Sequence, residues 1–248
     1  MGNKLPTSDR SSEAQGAAPP AATESLAERF GAHLQAQPLS EYDATHAVRL
    51  SETLHRCEQL FTQGVRVLEL GGLSLLSRFL IEHEGIAVAE YTEDLRKPLV
   101  TPSASQDVVL MLEVLEHLND YHTADSVISE IAMFTGSGAR CCLREVKRVL
   151  APGGHCVLTT PNAISVDALG RVLLKRHPFQ YPPHVREYAP DDVAELAREA
   201  GFEIVLATTF FSWNALPGAD RGTLLKLIAD AGYDPSDRGD DMMLMLRA

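Results

Sequence analysis

The stretch that decides the fold is DVVLMLEVLEH, residues 107–117. An unbroken apolar run follows its opening aspartate, and the stretch ends with Glu113, Glu116 and His117. A short apolar run bounded by polar residues is typical of a strand that is buried on both faces in the middle of a parallel sheet. Polar side chains at the C-terminal end of such a strand lie where open α/β sheets bind ligands. We therefore predict that these three residues form the floor of a binding site.

Composition limits the classes to which the chain can belong. Its 248 residues suffice for one substantial core, and 45% hydrophobic with 23% charged residues is ordinary for a globular protein. A net charge of −12 argues against a broad nucleic-acid-binding surface. The four cysteines form no CxxC pair, which argues against a zinc knuckle and favours reduced thiols in the cytoplasm. No apolar run reaches membrane-spanning length, so we expect no membrane partner.

Three regions follow one another along the chain. Residues 1–24 are rich in Ser, Ala, Pro and Gly and predict a disordered tail. Apolar residues at helical spacing predict a helical brace or lid over residues 25–63. Residues 64–248 read as one main domain, with insertions near 119–138 and 212–239.

The main domain opens with a strand, a glycine turn and a helix. VRVLEL (65–70) precedes Gly71 and Gly72, and leucines at helical spacing follow them. This order is the opening of a nucleotide-binding βαβ unit. A second strand is predicted over 86–91 and the central strand over 107–112. The about 16 residues between these two strands are too few for a helix and another strand, so we predict a fold shortened there by one αβ unit.

The later elements follow from the same patterns. Apolar spacing and helix-ending glycines predict three helices and three strands in the rest of the domain. The helices are predicted over 143–150, 190–200 and 224–231, and the strands over 155–160, 202–211 and 242–246.

Five segments of the chain form an ordered set. They are VLELGG (67–72), DVVLMLEVLEH (107–117), LREVKRVLAPGGHCVLTTPN (143–162), HVREY (184–188) and EAGFEIV (199–205). In this order the set closely resembles class I S-adenosylmethionine (SAM)-dependent methyltransferases, in particular the members with EVLEH-like and RVLKPGG…TPN-like signatures. The resemblance implies a Rossmann-like α/β fold with a seven-stranded, mostly parallel sheet and an antiparallel strand near the C-terminus. It also implies that SAM lies across the C-terminal ends of the strands.

The resemblance implies which residues bind the cofactor. In this role it implies Glu69, Gly71, Gly72, Glu90, Asp94, Leu95, Met111, Leu112 and Glu113. Glu69 would hold the amino group of SAM, and Glu90, or alternatively Glu93, would hold the ribose hydroxyls. Asp94 and Leu95 would flank the adenine.

One departure from the family's pattern concerns the glycine turn. Leu73 and Leu75 stand where the family usually has glycines. A side chain at either place would crowd the methionine part of SAM. Either the loop takes another path through Gly71 and Gly72, or cofactor binding is weakened.

The E-x-x-E-H group admits a metal and a metal-free interpretation. Some small-molecule and RNA 2′-O-methyltransferases with a similar motif hold a divalent metal, which here would be bound by Glu113, Glu116 and His117, with His122 or His184 as a fourth ligand. In the alternative, which we favour, no metal is bound: Glu113 caps a turn and His117 hydrogen-bonds the backbone or the substrate.

Catalytic and acceptor-binding residues are predicted around the same strand end. The catalytic candidates are Glu116, His117 and His184, and the substrate-binding candidates are Asn162, Arg186 and Tyr188. A histidine titrating near neutral pH suits proton removal from a hydroxyl, although simple positioning also suffices for a sulfonium methyl donor. For Asn162 the alternative is turn formation, and for Arg186 it is a salt bridge.

These observations predict a SAM-dependent methyltransferase acting on a small molecule or glycan at oxygen. Leu73 and Leu75 motivate an alternative from another class, a non-catalytic binding or scaffold protein on the same fold. A metal-dependent RNA 2′-O-methyltransferase is a third option, and the negative charge of the chain disfavours the basic groove that it requires.

Overall fold

The computed structural model describes residues 24–120 and 137–248. Its six strands are β1 (Val67–Leu70), β2 (Val88–Tyr91), β3 (Gln106–Leu112), β4 (Leu150–Pro161), β5 (Glu203–Phe210) and β6 (Asp241–Arg247). They form one sheet in the order β2-β1-β3-β4-β6-β5. The first four strands pair in parallel, and β6 runs antiparallel to both β4 and β5. The predicted Rossmann-like fold class, with its antiparallel C-terminal strand, is confirmed.

Helices cover both faces of this sheet. They are α1 (Leu26–Ala36), α2 (Glu41–Cys57), α3 (Leu75–Glu82), α4 (Ser137–Val149), α5 (Val166–Leu173), α6 (Pro190–Glu199) and α7 (Arg221–Asp230). Two short 3-10 turns lie at Glu58–Leu60 and Leu115–His117. Helix α5 was not predicted from the sequence. Gly170 in the middle of this helix weakens the helical pattern of the sequence. The glycine is needed there because a Cβ at this position would lie only 2.9 Å from the Cβ of Ala219.

The predicted shortening lies between β2 and β3. The connection from Tyr91 to Gln106 contains no helix or strand. Leu95 and Leu99 of this connection are buried in the core, so the segment closes the sheet edge without an additional layer. The six strands of the described part, instead of the seven that the resemblance implies, follow from this shortening.

Strand β3 is buried on both faces, as its apolar run predicts. Val109 and Met111 point into the core beneath α4 and α6, whereas Val108 and Leu110 point into the core beneath α1, α2 and α3. Because both faces are covered, only the C-terminal end of β3 can present its polar residues to a ligand.

The N-terminal region contains the two predicted helices. Ser25 and Ser40 cap α1 and α2 through their side-chain oxygens. Phe30 of α1 and Leu54 of α2 are fully buried in the core that these helices share with α3 and the sheet. The domain boundary at residue 64 stays a prediction. The proposed tail, apart from Glu24, and residues 121–136 of the predicted insertion lie outside the described residues. In the part that is described, no helix is both long and apolar enough to cross a membrane.

Candidate active site

The glycine turn after β1 takes a path that only glycine adopts easily. Gly71 has φ +93° and Gly72 has φ +120°, a region that side chains disfavour. The Gly71 amide donates to the Tyr91 carbonyl oxygen at 2.9 Å and joins the ends of β1 and β2. A Cβ on Gly71 would lie 3.1 Å from Cγ2 of Val114. The turn thus exposes backbone at the strand ends, as close approach of a cofactor requires.

The two leucines that replace family glycines lie in different surroundings. Leu75 is 6% exposed and belongs to the core together with Leu76 and Phe79. Leu73 is half-buried on the turn itself, and its amide donates to Glu90 Oε1 at 3.2 Å. Of the two leucines, only Leu73 is therefore placed where its side chain could crowd the methionine part of SAM.

The two predicted cofactor acids lie side by side but differ in exposure. Glu69 and Glu90 are partners in the parallel register of β1 and β2. Glu69 is buried, and its Oε2 accepts from the Ser74 amide at 2.9 Å. Burial raises the pKa of Glu69, and the nearby Ser77 and Ser74, the latter through its amide, oppose that shift. Glu90 is exposed at the strand end, as is the alternative acid Glu93, so which of them would hold the ribose stays a prediction, whereas Glu69 accepts a hydrogen bond from the turn.

Three further predicted cofactor residues have buried side chains. Leu95, Met111 and Leu112 are all part of the hydrophobic core, and their contact with the cofactor stays a prediction. Asp94 differs, since its carboxylate accepts from the Arg96 side chain at 2.8 and 2.9 Å. These hydrogen bonds lower the pKa of Asp94 and keep it ionised near the predicted adenine position.

Glu113 follows β3 in a strained backbone conformation. Its φ is +57°, uncommon for a residue other than glycine. The Glu113 amide donates to the Thr159 carbonyl oxygen at 3.0 Å, and the Thr159 hydroxyl donates to Glu113 Oε1 at 2.9 Å. Arg49 of α2 places its Nε 3.9 Å from the same oxygen. The carboxylate therefore points toward β4 and α2.

Arg49 is a site residue that the sequence analysis missed. Its side chain is 4% exposed, and its Nη1 donates to the Thr159 hydroxyl at 3.2 Å. Its Nε also lies 4.0 Å from Oδ2 of the fully buried Asp241. The only local signal is the position of Arg49 beside Leu50 and Thr53 on the buried side of an amphipathic helix.

Three carboxylates lie at the same sheet end as this arginine: Glu116 and Asp241 are fully buried, and Glu113 is 13% exposed. Burial raises the pKa of Glu113, Glu116 and Asp241, and repulsion from Glu113 raises the last two further. Among the described residues, Arg49 Nε, Glu116 Oε1 and Asp241 Oδ1 are buried without a hydrogen-bond partner. The end of the sheet is therefore an acidic, tightly packed floor.

The structure brings the three predicted catalytic residues together. Glu116 is fully buried, and its Oε2 accepts from the Thr160 hydroxyl at 2.8 Å. Its Oε1 lies 3.9 Å from His117 Nε2, and the rings of His117 and His184 are 4.9 Å apart. The His117 side chain is 46% exposed, and burial together with the neighbouring His184 lowers its pKa. Accessible and predominantly neutral, His117 is suited to accept a proton.

The same three residues fit a divalent metal ion. One ligand atom from each of Glu116, His117 and His184 lies within 4.8 Å of the others. His184 Nδ1 lies 2.7 Å from Glu187 Oε1, which leaves its other ring nitrogen for an ion, the arrangement common behind metal-binding histidines. Glu113 is not part of this group, because its carboxylate points toward Thr159. His122 lies outside the described residues.

The segment 184–188 is fixed against the end of β3. The amides of Val185 and Arg186 donate to the Glu116 carbonyl oxygen at 2.9 and 3.3 Å. Arg186 and Tyr188 line a surface pocket of about 300 Å³ together with Asp192 and further residues of α6. Tyr188 is 2% exposed, and burial raises its pKa to about 12. Arg186 is thus the more accessible of the two predicted acceptor contacts.

Asn162 has a structural arrangement that favours turn formation. It is 1% exposed, its Nδ2 donates to the carbonyl oxygens of Asp237 and Gly239 at 3.1 and 2.8 Å, and its Oδ1 accepts from the Ile164 amide at 3.1 Å. Both ends of its amide are occupied by backbone, so the side chain holds the 212–239 segment to β4, and its predicted contact with the acceptor stays a prediction.

An aromatic wall joins α2 to the loop after β5. The rings of Tyr42 and His46 are 4.4 Å apart, and those of His46 and Trp213 are 5.3 Å apart. Burial and the charge of Arg49 lower the pKa of His46 to about 4. Sequence patterns did not reveal this contact because it joins residues far apart in the chain.

Comparisons with known proteins agree with this arrangement. A family model described as a methyltransferase domain, Methyltransf_23, matches residues 10–207. A probable S-adenosylmethionine-dependent methyltransferase of Mycolicibacterium smegmatis is 31% identical over 144 residues, which are 55% of this chain and 47% of the relative. The match thus spans about half the length of that curated relative. A crystal structure of a SAM-dependent methyltransferase from Archaeoglobus fulgidus superimposes with a TM-score of 0.54 at 14% identity, over 84% of this chain and 100% of the other, and shows the shared fold.

Proposed function

Since the chain belongs to the SAM-dependent methyltransferase family, we propose that it transfers the methyl group of SAM to a hydroxyl oxygen of a small molecule or glycan. The observation that carries this proposal is the half-exposed His117 at the C-terminal end of the central strand, with a lowered pKa and with Glu116 and His184 beside it.

The cofactor would occupy the edge formed by the glycine turn and the end of β2. The exposed backbone of Gly71 and Gly72 permits close approach, and the Glu90 carboxylate suits two ribose hydroxyls. SAM, when bound, supplies a methyl group on a positively charged sulfur, which is a good leaving group. Asp94 would remain ionised beside the adenine.

His117 would act on the acceptor. The neutral imidazole of His117 would accept the proton of the acceptor hydroxyl, whose oxygen would take the methyl group that bound SAM supplies, with S-adenosylhomocysteine as the leaving product. Glu116 Oε1 lies 3.9 Å from His117 Nε2, close enough to help orient the ring for this transfer. Positioning of the two reactants would supply the rest of the acceleration.

The choice of a small molecule or glycan rests on the walls of the site. Tyr42, His46 and Trp213 supply aromatic surface on one side, and such surfaces with a few polar groups are usual for small-molecule pockets. The net charge of −12 and the acidic floor disfavour a polyanionic acceptor such as RNA.

The three-residue group around His184 supports a metal-assisted form of the same reaction. Glu116, His117 and His184 would hold a divalent ion. A bound ion would supply Lewis-acid polarisation of the acceptor hydroxyl.

The experiment that tests this function has two stages. Calorimetric titration with S-adenosylhomocysteine asks whether the cofactor site exists, and no binding would leave the non-catalytic scaffold ahead. Transfer of labelled methyl groups to a panel of hydroxylated small molecules and oligosaccharides then identifies the acceptor.

The role of His117 is tested by substitution. We expect His117→Gln to lower turnover by roughly 10²-fold or more at unchanged S-adenosylhomocysteine affinity. The control is His55→Gln, at an exposed histidine of α2, which should leave both turnover and affinity unchanged. Full turnover in the His117 variant would remove proton transfer from the proposal.

A further inference from the structure

Glu113 is held in a conformation that its own backbone disfavours. A non-glycine residue at φ +57° persists only where the surroundings determine it, and such residues cluster at functional sites. The Thr159 backbone and hydroxyl provide two of the holding contacts. A third contact comes from the Arg49 guanidinium, whose Nε lies 3.9 Å from Glu113 Oε1.

Arg49 reaches this place from outside the Rossmann-like core. It lies on α2, and 110 residues separate it from Thr159, to whose hydroxyl its Nη1 donates. Because Thr159 Oγ1 donates to Glu113 in turn, the contacts form a relay from Arg49 through Thr159 to Glu113. The relay also orients the hydroxyl, since an oxygen that accepts from the guanidinium has its proton free for the carboxylate.

Charge makes the arginine necessary at this position. Arg49 Nε lies 3.9 Å from Glu113 Oε1 and 4.0 Å from Oδ2 of the fully buried Asp241, so this one guanidinium faces two carboxylates at the same sheet end. Without this cation the burial of Glu113 as a carboxylate would be uncompensated on its α2 side. The position of the Glu113 carboxylate against Thr159 therefore depends on α2.

We propose that Arg49 is a positioning residue for cofactor binding: it fixes Glu113 at the end of β3, so that the N-terminal helix α2 completes the SAM site. The proposal rests on the proposed function, since it takes Glu113 as a residue of the cofactor edge. It assigns α2 a part in the site itself, beyond bracing or covering the domain.

The test is a double-mutant cycle on S-adenosylhomocysteine affinity, measured by calorimetry on the full chain. The variants are Arg49→Met, which keeps the volume and removes the charge, Glu113→Gln, and the two combined. We expect each single variant to bind about tenfold more weakly, the loss of one charge-assisted hydrogen bond. The double variant is expected to lose little more than either single one, because Arg49 acts through Glu113.

The matched control is Arg56→Met on the same helix, whose arginine pairs with Glu52 at the partly exposed surface. It should leave the affinity within twofold. If Arg49→Met does not fold, the cycle is run with Arg49→Lys and with Thr159→Val, which removes the relay hydroxyl at nearly constant volume. Intact far-ultraviolet circular dichroism is required of every variant.

The outcomes separate the possibilities. Losses that add in the double variant would overturn the proposal, since Arg49 would then act by another route. An unchanged affinity in Glu113→Gln would overturn it as well, while leaving the proposed function intact as long as the parent protein binds. Failure of the parent protein to bind S-adenosylhomocysteine at all would count against the proposed function first.

Discussion

Replacing Leu75 with alanine tests where the residue points. Leu75 begins α3, is 6% exposed and packs in the core with Leu76 and Phe79. Truncating a buried leucine costs about 2–5 kcal/mol, from the lost transfer free energy and from the cavity left behind. Because Leu75 lies in the first turn of the helix and keeps slight exposure, we expect a loss of about 2–3 kcal/mol in the free energy of unfolding.

The assay is urea-induced unfolding followed by circular dichroism, paired with calorimetric titration of S-adenosylhomocysteine. Leu73→Ala is the matched control, since Leu73 is half-buried on the glycine turn, and it should cost less than about 1 kcal/mol. Leu75→Ala is expected to leave the affinity within twofold, because its side chain lies in the core. A Leu75→Ala protein that keeps its stability and binds S-adenosylhomocysteine more tightly would refute this placement and restore the view that Leu75 crowds the cofactor.

Three further predictions concern charge and metal binding. Glu90→Ala should weaken S-adenosylhomocysteine binding by about tenfold or more, because it removes the acid proposed to bind the ribose. Calorimetry measures the affinity, and an unchanged value would show that another acid binds the ribose. Hydrogen bonds from Arg66 lower the pKa of Asp107 from 3.8 to about 2, so its contribution to stability is present above about pH 4 and is lost as the pH falls toward 2; Arg66→Gln should flatten this acid limb in urea titrations. Titration with Mn²⁺ should show one bound equivalent that disappears in His184→Ala, and the same affinity in both proteins would exclude this donor set.

The patterned parts of the fold were predictable from the sequence. The apolar run before Glu113 and the glycine pair after β1 identified the central strand and the turn, and chain length alone predicted the shortening between β2 and β3. These features depend on residues that are close together in the chain. The spacing of apolar residues, which differs between helices and strands, therefore reveals them directly.

The site was predictable only in part, for reasons that particular residues show. Glu116, His117 and His184 come together because the backbone of segment 184–188 bonds to Glu116, and the resemblance had already named all three. Asn162 and Leu95 were also named, and both side chains are buried, so their contacts with acceptor and cofactor stay predictions. A sequence gives the residue type at a strand end and leaves open which way its side chain points.

The sequence by itself determined the order of the elements, the sheet end that carries the polar residues and the family to which the chain belongs. Only the tertiary structure decided that Arg49 of α2 reaches Thr159 and Glu113, that Leu75 belongs to the core, and that Glu187 lies behind His184. The physical reason is that hydrophobic periodicity acts over a few residues, whereas compensation of a buried charge acts across space, between segments that only packing brings together.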